Sequence, residues 1–171
     1  MARFTFDFDP VTRITVGAQG QPGQRTFFLQ VRHGRQLVSL VAEKEQVRAM
    51  SQAIDKLLDD LAEKNPLLSS SDDLLLASDM SLDEPLESQF RIAQMGIGYD
   101  ADRDQVILVL QGARDEDDDD TDAPTARFGA SRMQMKALSE HAQAVVARGR
   151  TICGNCGRPM DPTGHFCPEM N

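Results

Sequence analysis

Twice along this chain the spacing of apolar residues changes from every second position to every third or fourth. A chain that makes this switch builds strands first and an amphipathic helix after them. In the first half, Phe4, Phe6 and Phe8 alternate with Thr5 and Asp7, and Asp9-Pro10 makes a turn. Arg13-Ile14-Thr15-Val16 resumes the β-type composition, and Gly17 to Gly23 (GAQGQPG) is a flexible connection. Arg25 to Arg32 (RTFFLQVR) reads as a strong strand with Phe27, Leu29 and Val31 on one face. His33-Gly34-Arg35 is a tight hairpin turn, and Leu37 to Val41 is the returning strand. From Glu43 the period becomes helical, with Val47, Met50, Ile54, Leu57, Leu58 and Leu61 on one stripe. Glu43 and Glu45 suit the positive end of that helix, and Asn65-Pro66 ends it.

The second half repeats the switch. Phe90 to Tyr99 and Gln105 to Gln111 form a strand pair turning at Asp100 to Asp104, and Pro124 to Phe128 is a short strand. Val106 to Leu110 is apolar on both faces, as a doubly covered central strand would be. Ser131 is the expected N-cap of a helix running to Arg148, with Met135, Leu138, Ala142, Val145 and Val146 inward and Gly149 behind it. Residues 45–50 (EQVRAM) align with residues 133–138 (MQMKAL), and Ile54, Leu57 and Leu58 then fall on Ala142, Val145 and Val146. The expected fold is α+β: an antiparallel sheet of six or seven strands with two helices on one face, as from a ββα duplication. The expected domain spans residues 1–150, with a linker at 64–86 that holds a short docked segment, because Leu74-Leu75-Leu76 would be costly to leave in water, and an acidic loop at 114–123.

Every cysteine lies in the last stretch, residues 151–171, in the run C-G-N-C-G-R-P-M-D-P-T-G-H-F-C-P. Cys153 and Cys156 have the spacing of a metal knuckle. His165 and Cys167, one residue apart on an extended stretch, share a side and can complete a tetrahedron. Three thiolates and one imidazole favour Zn²⁺, and four protein ligands leave no open position, so the expected metal is structural. A redox C-x-x-C and an iron–sulfur site are the competing readings; no βαβ pattern precedes the pair.

Three clustered cysteines do not make a disulfide scaffold, which points to the reduced cytoplasm. There is no signal-peptide pattern and no run of apolar residues long enough to span a membrane. The net charge of −9 is concentrated in Asp115 to Asp122, which hold seven acids; the rest of the chain carries −2. That run lacks the alternating carboxylates and central glycine of a calcium loop and reads as a solvated connection. Such a balance argues against bulk nucleic-acid binding. Gly20 to Arg25 (GQPGQR) lacks the lysine and following helix of a phosphate loop. Arg25, Arg32, His33 and Arg35, around the first hairpin, are the candidate ligand or partner contact. His141, at the edge of the second helical stripe, reads as packing, with no titratable partner placed beside it. No nucleophile elbow, zincin or dinucleotide motif is present.

Three stretches carry a family resemblance: Phe8-Asp9-Pro10 leading to Val16-Gly17, Pro22 to Gln30 (PGQRTFFLQ), and the tail from Cys153 to Pro168. On these the chain resembles an uncharacterised bacterial family, domain of unknown function 3090, found largely in high-GC Gram-positive bacteria. Where that family typically has a proline after the first cysteine and a basic residue after the final proline, this chain has Gly154 and Glu169. The resemblance implies a cytoplasmic single-domain protein, often encoded near histidine-phosphatase-like and kinase-like proteins, and it brings no activity. The expectation is therefore a non-enzymatic binding or adaptor module with a structural zinc and a protein partner. The alternative is an enzyme or small-ligand sensor with its site near the hairpin at residues 25–35. A deep pocket with convergent polar groups would favour the latter, and an exposed apolar patch the former.

Overall fold

The alternating segments become seven strands, and the two helical stripes become two helices. Their order is β1 (Phe6–Phe8), β2 (Arg13–Gln19), β3 (Thr26–His33), β4 (Gln36–Ala42), α1 (Lys44–Lys64), β5 (Ser88–Asp100), β6 (Gln105–Gly112), β7 (Thr125–Ala130) and α2 (Arg132–Ala147). The computed structural model describes residues 4–21, 23–65, 80–114 and 122–148. All seven strands join one sheet in the order β1-β7-β6-β5-β4-β3-β2.

The sheet is mixed, where sequence patterning suggested an antiparallel one. β4 runs parallel to β5, and β1 runs parallel to β7. The reason for the first pair is the connection between them. A hairpin reverses the chain, whereas α1 and the segment after it carry the chain back so that β5 starts in the direction of β4. The architecture is thus two antiparallel three-stranded meanders side by side, each followed by a helix.

Both helices share one sheet face and pack on each other. The alternating residues Val16, Leu29 and Leu40 of the first meander, and Leu108 and Phe128 of the second, are at most 1% exposed. They form one core with Val47, Met50 and Ile54 of α1 and Met135, Leu138 and Ala142 of α2. Burying each such side chain contributes about 1.5–3 kcal/mol. The repeat extends to the helix starts. Gln46 accepts from the Glu43 N–H at 2.8 Å and Gln134 from the Ser131 N–H at 3.0 Å, so each closes its helix's first turn. Each glutamine also donates to a backbone carbonyl of the other half: Gln46 to Ile92 of β5 at 2.9 Å, Gln134 to Val11, between β1 and β2, at 3.3 Å. Where the helices cross, Ser139 donates to the Asp55 carboxylate at 2.6 Å, and Gln143 donates to it at 2.8 Å.

Among the described residues, the outer face is covered in one half only. Thr15, Gln30 and Ser39 stand opposite one another across β2, β3 and β4 and are almost fully buried. Residues 80–83 lie over them as a strap. Thr15 donates to the Met80 carbonyl at 2.6 Å; Gln30 donates to the Asp83 carbonyl at 3.0 Å and accepts from its N–H at 2.6 Å. Leu82 rests on Gly17, where a Cβ would come within 2.6 Å of its Cγ. So the linker expected at 64–86 is in part a docked element, as buried polar groups require; Leu74 to Leu76 fall outside the described residues. In the second half the corresponding positions are Gly96, Val109 and Arg127, again in register. Ile107 and Val109 are half-buried there, so β6 is fully covered on its inner face alone.

At one end the two edges of the sheet converge. Val11 N–H donates to the Gly129 carbonyl of β7 at 2.8 Å, and the next residue, Thr12, donates to Arg32 of β3 at 2.8 Å. Phe8 of β1 stacks on His33 of β3 with ring centroids 5.1 Å apart. The sheet therefore curls around its helices.

Candidate functional site

The four tail ligands suggested by the sequence, Cys153, Cys156, His165 and Cys167, lie outside the described residues. Among the described residues no group of three or more His, Cys, Asp or Glu side chains is placed to hold a metal.

The basic residues around the first hairpin divide between the two ends of β3. Arg32 bonds to Asp83 at 2.9 Å and helps hold the strap. His33 contacts the Pro10 carbonyl at 2.9 Å through Nδ1 and stacks on Phe8, which makes it part of the closure of the sheet. Arg35 is exposed in the turn. Arg25 stands at the opposite end of the strand. It donates to the Val145 carbonyl, in the last turn of α2, at 3.1 Å, and lies 4.9 Å over the Phe27 ring. Strand geometry explains the separation, since eight residues at about 3.3 Å each span the sheet. The four residues are not one site.

Arg25 instead belongs to an open cleft of about 1090 Å³. Four pieces of chain meet there: the start of β3, the end of β4 with the first turns of α1, the start of β5, and the end of α2. Phe27, Ala42 and Val146 give it an apolar floor, while Arg25, Lys44, Arg48 and Arg91 bring positive charge. Among the described residues Glu43 is the one carboxylate in the lining, and it bonds to Arg91 at 2.5 Å. Arg48 pairs with Glu45 at 2.8 Å on the same helix face. The first turn of α1 adds the positive end of a 21-residue helix dipole. Of these residues the sequence reading singled out Arg25 alone. Lys44 and Arg48, one turn apart on the polar face of α1, were visible as a basic pair, but nothing local set them beside Arg25 and Arg91.

A second charged network occupies the far end of the sheet. Arg132, the first residue of α2, bonds to both carboxylate oxygens of Asp104 at 2.8 and 3.0 Å, and Tyr99 donates to Asp104 at 2.5 Å. The Arg132 bond holds the Asp104 carboxyl below its ordinary value, and the bond to Asp104 raises the Tyr99 phenol. Arg103 pairs with Asp9, whose side chain is 8% exposed and lies close against Gly129. His141 is half-buried, and burial, with the charge of Arg148 next, pushes its imidazole down. The Arg132–Asp104 pair fixes the start of α2 to the β5–β6 turn, and the Arg103–Asp9 pair ties that turn to the residues after β1.

Fold and cleft together define a small α+β protein with one curled mixed sheet, two helices in its hollow and a basic cleft at one end. Residues 6–167 match the family described as Protein of unknown function (DUF3090). The chain belongs to that family, as its Phe8-Asp9-Pro10 and Pro22 to Gln30 stretches suggested. No match was found among curated proteins or among solved structures.

Proposed function

We infer that this is a non-enzymatic binding protein whose body takes a small ligand in the cleft between the start of α1 and the end of α2. The observation that carries the reading is convergence: four segments distant in sequence bring cations and an apolar floor to one concave site. The chemistry of the lining supports binding over catalysis. Among the described residues the lining contains no histidine or cysteine, and the Ser51 hydroxyl donates to the Arg48 carbonyl at 2.9 Å, so none of them sets a nucleophile beside a base. This is the sensor alternative, moved from the hairpin turn to the other end of β3. A metabolite screen by thermal shift on the full chain tests it. A ligand should raise the melting temperature, and the rise should vanish when Val146→Trp fills the floor; a ligand whose effect survives that change would place the site elsewhere.

The tail completes the proposal. Cys153, Cys156, His165 and Cys167 would hold one structural Zn²⁺, as their number and spacing support, in a protein working in the reduced cytoplasm. Among the described residues no helix is long and apolar enough to cross a membrane. Purified protein should carry close to one zinc per chain, and Cys156→Ser should lose it; metal-free wild-type protein prepared without chelator would end this part of the reading. A protein partner is the second reading. It draws on the outer face of the second half, where no described residue comes within 4 Å of a Cβ placed at Gly96 or Gly98. Affinity purification with and without residues 151–171 tests for it.

A further inference from the structure

The two halves of the molecule carry different charges at the same place. Phe27 pairs with Ala42 as Val106 pairs with Ala130, so position 25 corresponds to 104 and position 44 to 132. In the second half these are Asp104 and Arg132, joined by two hydrogen bonds of 2.8 and 3.0 Å. In the first half they are Arg25 and Lys44, and both line the cleft. A corner that neutralises itself in one half therefore holds two cations in the other.

The nearby carboxylates do not remove the excess. Glu43 is engaged with Arg91 at 2.5 Å and Glu45 with Arg48 at 2.8 Å. Lys44 makes no ion pair among the described residues. Arg25 is held in place by the Val145 carbonyl and the Phe27 ring, neither of which carries a full negative charge. Two like charges lining one concave site add their potentials there, which draws anions to it. An anion from outside would neutralise them.

We propose that the cleft binds an organic phosphate, with the phosphate group between Arg25 and Lys44 and the organic part over Phe27, Ala42 and Val146. The charge count selects phosphate over carboxylate. Two cations with no acidic partner among the described residues suit a phosphate group, which carries about −1.5 to −2 or more at neutral pH, whereas a carboxylate would match only one of them. The guanidinium fork of Arg25 also fits phosphate oxygens, and one of its N–H groups is already fixed on Val145, which orients the rest. This rests on the reading of the cleft as the ligand site and adds the class of ligand.

Inorganic pyrophosphate is the probe, titrated calorimetrically into the full chain at constant ionic strength. Binding to the wild type should weaken at least tenfold in Arg25→Asp, which copies the second half's pair and should keep the fold. Lys44→Glu serves as the second variant, since Lys44 is exposed and its loss removes no contact of the core. Failure of pyrophosphate to bind the wild type, or equal binding to both variants, overturns the phosphate proposal. A parallel titration of uncharged fragments separates the two readings. Fragments that shift the NMR signals of Phe27 and Val146 when pyrophosphate does not would leave the ligand cleft standing and remove phosphate from it. If neither shifts them, both readings fall.

Discussion

The inner faces of the two meanders are nearly interchangeable, and the outer faces are opposites. Inside, Leu29 and Leu40 stand where Leu108 and Phe128 stand, and all four are buried against the same helices. Outside, the first meander carries Thr15, Gln30 and Ser39 under a strap, and the second carries Gly96, Val109 and Arg127 with no strap among the described residues. The difference shows what each face has to satisfy. An inner face must fill a shared hollow, so its residues are held to size and polarity. An outer face answers only to what lies on it. With Gln30 satisfied by both backbone groups of Asp83, the strap and the polar row depend on each other; with glycine and valine the sheet leaves no such demand.

That contrast can be broken or sharpened by measurement. The largest effect should come from the interior: Leu29→Ala and Leu108→Ala should each cost about 2–5 kcal/mol in chemical denaturation. Costs that differ by more than about 2 kcal/mol would mean the two inner faces are not equivalent supports. A smaller effect should separate the outer faces. Gly17→Ala drives a methyl into Leu82 and should cost about 1–3 kcal/mol. Gly98→Ala meets open space and should stabilise by about 0.5–1 kcal/mol, the ordinary strand preference for alanine over glycine. Equal penalties at the two glycines would show that something also covers the second face.

The smallest effect should be electrostatic. Asp104 has its folded pKa depressed by Arg132, so its contribution is present above the unfolded value of about 3.9 and is lost as pH falls through the folded one. Wild-type protein should therefore lose more stability than Asp104→Asn between about pH 4 and pH 2. The carboxylate is 48% exposed, so solvent screening keeps the gap small. Parallel acid-unfolding curves for the two proteins would remove Asp104 as a contributor.

What could be read from the sequence was what depends on neighbours along the chain. The alternation at Phe27, Leu29 and Val31 and the cap at Ser131 are local, and both stand in the structure. The parallel pairing of β4 with β5 was not legible, because it follows from where a 21-residue helix and its connection deliver the chain, not from any residue in either strand. The cleft was hidden for a related reason. Arg25, Lys44, Arg91 and Ala147 belong to separate elements, and only the register of three strands sets them together. The strap was legible only as composition, since a Ser-, Asp- and Leu-containing stretch does not announce that Asp83 will complete Gln30.

The pairing of β1 with β7 also has a consequence for the order of assembly. Phe6 meets Ala126 and Phe8 meets Phe128 across most of the chain. During synthesis β1 leaves the ribosome well before β7, and its seat does not exist until β7 has followed. For most of translation Phe6 and Phe8 are apolar side chains without their final neighbours, close to an emerging edge and open to wrong pairing. The nascent chain should therefore depend on protection of β1 until β7 has emerged, and the mature sheet sets its earliest strand beside its last.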